Sequence, residues 1–141
     1  MLCVSACGAA QKWARYINER FDYSVEYPDI FSKRIEPANG DGVWLESKDR
    51  KYYLTLSGGY NIFMQDGNSM LEARESAGTI KKDSDSTWFR LIRRDKNKII
   101  HAYGIVNDDA WASFTFTYPE SKNFNEAIRR IEKTLQFGGN N

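Results

Sequence analysis

Phe21-Asp22-Tyr23-Ser24-Val25-Glu26-Tyr27-Pro28 alternates large apolar and polar side chains without a break until the proline. Successive side chains of a strand point to opposite faces, so Phe21, Tyr23, Val25 and Tyr27 share one face and Asp22, Ser24 and Glu26 the other. Pro28 lacks the N–H that a ladder needs and ends the strand. A half-buried strand this regular requires a sheet with one face against a core.

Working outward, residues 11–20 place Trp13, Tyr16 and Ile17 at i, i+3 and i+4, a spacing that predicts a short helix. Downstream, Asn39-Gly40-Asp41-Gly42 reads as a turn, because Asn and Gly tolerate positive φ. Residues 43–47 and 51–57 form a hairpin pair through Lys48-Asp49-Arg50. A loop covers 58–68. Ser69 and Glu72 have capping-box spacing, which predicts a thinly amphipathic surface helix over 69–77 with Gly78 as its stop. Residues 81–86 read as polar linker, and 87–93, 99–106 and 111–118 as three more strands. The last helix follows Asn123, its cap. Phe124, Ala127, Ile128, Ile131 and Leu135 form its buried stripe, Glu132 falls on its outer face, and Gly138 closes it.

Short links demand antiparallel pairing, so the expected architecture is α+β: a single antiparallel sheet of about six strands with helices packed on it. The 141 residues suit one domain, taken as residues 11–138, with 1–10 as a flexible N-terminus or signal remnant. Twenty basic and nineteen acidic side chains leave a net charge of +1, with no global field to draw the chain onto nucleic acid. Aromatics at 14% favour a β-rich domain whose core is filled by rings.

The order of these elements resembles the Mog1/PsbP-like α/β/α fold, to which small secreted bacterial lipoproteins of unknown function are similar. The likeness rests on Trp13-x-x-Tyr16, Phe21-x-Tyr23-Ser24-Val25-x-Tyr27-Pro28, Asn39-Gly40-Asp41-Gly42 and the C-terminal amphipathic helix, and covers roughly 12–137. Members serve in photosystem assembly, small-GTPase binding and the cell envelope. The resemblance therefore implies a fold and no catalytic motif.

Candidate chemistry is sparse. His101 is the only histidine, and strand parity puts it with Ile99, Tyr103 and Ile105. A general base there needs a nucleophile in reach, and neither Ser57 nor Ser113 sits in a Gly-x-Ser-x-Gly elbow, so a hydrogen-bonded strand histidine is the expectation. Asn39-Gly40-Asp41-Gly42 imitates a calcium loop, but alignment puts Pro37 and Lys48 at the key ligand positions. Asp83, Asp85, Asp108 and Asp109 read as solvated turn carboxylates. Arg90, Arg93, Arg94, Lys96 and Lys98 form either a cationic rim for an acidic partner or a protected hairpin edge. Gly58-Gly59-Tyr60 lacks a dinucleotide fingerprint. No metal, catalytic residue or cofactor is assigned.

Two stretches carry the functional expectation. Val4-Ser5-Ala6-Cys7 fits a bacterial lipobox, with Cys7 as the acylated residue and only Met1-Leu2-Cys3 before the box. Its alternative is a frayed N-terminus. Cys3 and Cys7 are the only cysteines, so residues 11–138 carry neither disulfide nor thiol nucleophile. In the loop, Tyr60, Ile62, Phe63 and Met64 follow neither helix nor strand period. They either plug one end of the core or form a partner-binding patch. The resulting expectation is a non-catalytic cell-envelope (lipo)protein, lipid-anchored on the periplasmic side or secreted, that binds a protein or small ligand. The alternatives are a cytosolic protein-binding adaptor and a hydrolase whose carboxylates converge only in the fold.

Overall fold

The computed structural model describes residues 11–138. The Val4-to-Cys7 box and the proposed acylation at Cys7 lie outside the described residues. In chain order the elements are β1 (Trp13–Asn18), β2 (Tyr23–Pro28), β3 (Lys33–Ile35), β4 (Gly42–Glu46), β5 (Tyr53–Tyr60), α1 (Gly67–Arg74), β6 (Thr79–Ser84), β7 (Trp88–Asp95), β8 (Lys98–Val106), β9 (Ala110–Pro119), α2 (Asn125–Thr134) and β10 (Gln136–Phe137).

The strands form two antiparallel sheets, not one sheet of six. A seven-stranded sheet runs β3-β4-β5-β9-β8-β7-β6, and a three-stranded sheet runs β10-β2-β1. The predicted N-terminal helix is strand β1, paired along its length with β2 from Trp13 opposite Pro28 to Asn18 opposite Tyr23. Burial there follows period two: Tyr16 and Asn18 are buried while Ile17 is 44% exposed. Aromatic and β-branched side chains suit a pleated surface, and the ladder with β2 overrides a three-residue helical spacing. The predicted linker over 81–86 is largely the edge strand β6, paired with β7 and bulged between Thr79 and Lys81. Its polar sequence protects the edge, which is why it lacks an apolar stripe.

Parity divides the large sheet into two faces. Ala112, Phe114, Phe116 and Tyr118 of β9 point toward the three-stranded sheet and α2, joining Tyr23, Val25, Leu54, Leu56, Ile128 and Ile131 in the main core. On the other face Phe89, Leu91 and Val106 are covered by Met70 and Leu71 of α1. Gly104 belongs to this second face, and a Cβ there would lie 2.3 Å from the Phe89 ring, so only glycine admits that ring. Helix α1 starts earlier than its capping-box spacing suggests: Asp66 is the cap and accepts from the Ser69 N–H at 2.9 Å.

The apolar face of the opening strand behaves as its alternation dictates: Phe21, Tyr23, Val25 and Tyr27 are all buried. On the other face Asp22 is exposed, but Ser24 is buried and Glu26 half-buried. Tyr23 donates its hydroxyl to the Asp41 carbonyl at 2.7 Å, and Asn18 donates to the Gly40 carbonyl at 2.9 Å. These bonds dock the Asn39–Gly42 turn onto the small sheet, with Gly40 at φ +68° as a tight turn requires.

Candidate functional site

Two features stand apart from ordinary core and rim. The first is the loop between β5 and α1. Ile62, Phe63 and Met64 are 74%, 80% and 72% exposed, so they do not plug the core. Tyr60, 61% exposed, still lays its ring edge-on against Phe21 with centroids 4.9 Å apart. The four residues thus divide: Tyr60 anchors the base and the next apolar three form a wet tip.

That tip is held from beneath. Asn61 is buried; its backbone N–H donates to the Asp109 carbonyl at 2.9 Å. Its side-chain amide donates to the carbonyls of Gln65 at 2.7 Å and Asn107 at 2.9 Å, and its side-chain oxygen accepts from the Gln65 N–H at 2.9 Å. Asn107 in turn accepts from the N–H groups of Asp109 and Ala110, each at 2.8 Å. Met64 has φ +51°, a left-handed conformation that unbranched residues adopt only at a cost. One buried asparagine thereby ties the loop to the β8–β9 turn and fixes its shape. Asp66, Asp108 and Asp109 lie on these same two turns, so the apolar tip rises from an acidic surround.

The second feature is a charged network between α2 and the α2-facing side of the large sheet. Arg90 donates from Nε and Nη2 to the two carboxylate oxygens of Glu132, at 2.8 and 2.6 Å. His101 Nε2 lies 2.7 Å from Glu132 Oε2, and Arg90 Nη1 reaches both oxygens of Asp83 at 3.2 Å. The guanidinium is also held over the rings of Trp88 and Tyr103, and the imidazole is stacked on Phe114. Burial pushes the Glu132 carboxyl up, but hydrogen bonds and charge from Arg90 and His101 outweigh it and hold the group below the usual range. The same contact with Glu132 raises the Arg90 guanidinium.

The structure corrects the placement of Glu132. It is 12% exposed and engaged on both oxygens, not on an outer face. His101 is the hydrogen-bonded strand histidine its parity implies, 6% exposed. The cationic run 90–98 is dispersed: Arg90 turns to Glu132, Arg94 pairs with Glu120 at 2.7 Å, and Lys98 lies over Tyr53. Ser57 and Ser113 face each other across β5 and β9 at 3.4 Å. Asp85 accepts from the N–H groups of Thr87 and Trp88, the turn role its sequence implies. What linear reading missed is the convergence of Asp83, Arg90, His101 and Glu132. The available signal was shared strand parity: β8 pairs His101 with Ile92 and Tyr103 with Arg90, placing these side chains on one face. No group of His, Cys, Asp and Glu suited to a metal ion occurs among the described residues.

No family model matches the sequence, and no curated protein matches it. Solved structures do. The chain is similar to the solution structure of cyanobacterial PsbP (CyanoP) from Synechocystis sp. PCC 6803, at 14% identity and TM-score 0.62, over 97% of this chain and 98% of that one. It is also similar to a crystal structure from Bacteroides thetaiotaomicron VPI-5482, at 15% identity and TM-score 0.58, over 87% of this chain and 47% of that one. The fold is thus PsbP/Mog1-like. At such identities the likeness describes backbone architecture and not function.

Proposed function

We propose that this PsbP-like domain is a non-catalytic binding module of the bacterial cell envelope that docks a partner protein through the tip Ile62-Phe63-Met64, with Tyr60 at its base. The observation that carries this reading is the combination of exposure and bracing: three consecutive apolar side chains are 72–80% exposed on a loop whose buried Asn61 bonds to Gln65 within the loop and to Asn107 in the β8–β9 turn. Burying such side chains gains about 1.5–3 kcal/mol each, and a pre-shaped loop loses little entropy on docking. The surround of Asp66, Asp108 and Asp109 favours a partner with an apolar pocket and a basic rim. It disfavours an anionic lipid surface.

Address rests on Val4-Ser5-Ala6-Cys7, with acylation of Cys7 as the anchor. No helix among the described residues is long and apolar enough to cross a membrane. The hydrolase alternative gains a convergence of Asp83 and Glu132 on Arg90, but a general acid needs a raised pKa and Glu132 is held low.

The test places a photo-crosslinking amino acid at position 63 in cells and identifies the adduct by mass spectrometry. One protein recurring as the adduct, whose purified form binds the wild type but not the Phe63→Ser/Met64→Ser double variant, supports the reading. Unchanged affinity of that variant, or its unfolding, overturns it. Intact mass of the mature protein from the complete gene reads the anchor: an unacylated cytosolic species favours the adaptor alternative.

A further inference from the structure

We infer that the cleft between α2 and the β6 edge of the large sheet binds a small oxyanion, a phosphate or carboxylate group, through Lys81 and Arg129. This cavity of about 380 Å³ has the charged network as its wall and Ile92 and Ile128 as its apolar part. Its size falls at the low end of small-molecule sites.

Charge pairing inside the cleft is uneven. Glu132, the one carboxylate in the lining, has both oxygens engaged by Arg90 and His101; Asp83, outside the lining, pairs with Arg90. Arg90 itself is committed to these two acids. Lys81 and Arg129 line the same cleft, yet neither has a side-chain hydrogen bond or ion pair among the described residues. They come from different elements, the edge strand β6 and the helix α2, and flank the concavity. Asn125, four residues before Arg129 on the same helix side, adds a side-chain amide. The one carboxylate in the lining, Glu132, is already engaged, so Lys81 and Arg129 present donors that an oxyanion would accept. Because Arg90 is held over Trp88 and Tyr103 and His101 is stacked on Phe114, the wall is rigid before any ligand arrives.

The experiment is an NMR titration of the isotopically labelled protein with inorganic phosphate, and separately with acetate, at ionic strength held constant with sodium chloride. The Arg129 Nε–Hε and His101 ring resonances are followed. Saturable shifts in phosphate alone assign a phosphate ligand, in acetate alone a carboxylate, and in both a general oxyanion site. Lys81→Gln/Arg129→Gln is expected to bind at least about tenfold more weakly, the loss expected for charge-assisted bonds. Lys96→Gln, in the exposed β7–β8 turn, is expected to bind as wild type. Both altered side chains are exposed, so the double variant keeps a dispersed spectrum. Linear, unsaturable shifts in both anions, equal binding by the double variant, or equal weakening by Lys96→Gln overturns the inference.

Discussion

His101 on β8 and Glu132 on α2 meet at 2.7 Å, joining the C-terminal helix to the α2-facing side of the large sheet. The contact joins a buried imidazole to a carboxylate that Arg90 grips with two further bonds. Helix α2, tied to the small sheet by Arg130 and Thr134 at Glu26, is thereby also pinned to the large sheet.

Removing the carboxylate leaves a mostly buried guanidinium and an imidazole without their acceptor. Glu132→Ala is expected to lower stability by about 2–3 kcal/mol, less than a fully buried pair because Arg90 retains Asp83 and some solvent. Urea denaturation reads the effect; a loss under about 0.5 kcal/mol, the usual surface value, would remove the network from the account of stability.

Acid should weaken the same pin. The folded-state pKa of Glu132 lies below its ordinary 4.5, so the folded form binds the proton less readily than the unfolded chain. Its contribution is complete above the unfolded pKa and is lost as pH falls through the folded one. Asp49, Asp66 and Asp85 are shifted the same way by their own local hydrogen bonds. The comparison that isolates Glu132 is therefore wild type against Glu132→Gln, whose stability curve should fall less steeply below pH 4.5. Parallel curves for the two proteins would contradict the assignment.

Docking of α2 is tested at its centre. Ile131 is fully buried in the main core, and Ile131→Asp should cost roughly 3 kcal/mol or more by burying an unpaired charge. Lys133→Ala, two positions on and exposed, should stay within about 0.5 kcal/mol. Similar losses from both changes would mean that the helix does not seat as described.

Much of this molecule was legible in one dimension wherever the local pattern and the tertiary environment agree. The alternation from Phe21 to Tyr27, the hairpin strands and the stripe of Ile128, Ile131 and Leu135 each specify a face, and that face is the buried one. Residues 11–20 failed because Trp13, Tyr16 and Ile17 satisfy a helical spacing by chance, while hydrogen bonds to β2, visible only in three dimensions, decide for strand. Polar β6 failed for a related reason: an edge strand with both faces largely wet carries no period at all. The resemblance in element order led to the right fold, but not to the split into two sheets.

Tyr60, Ile62, Phe63 and Met64 stand out in the sequence because no regular period accounts for them, and by composition a core plug is a plainer reading than a wet tip. Exposure depends on what the rest of the chain leaves uncovered, and only the assembled fold settles it. Glu132 shows the converse. On a helical wheel it belongs to solvent, but α2 lies against the sheet face from which Arg90 and His101 project, 42 and 31 positions away in sequence. Sequence alone determined which segments bury an apolar face, because that is a local property of spacing. Tertiary structure decided which charges meet and which apolar residues stay wet, because both depend on distances between segments that no local pattern encodes.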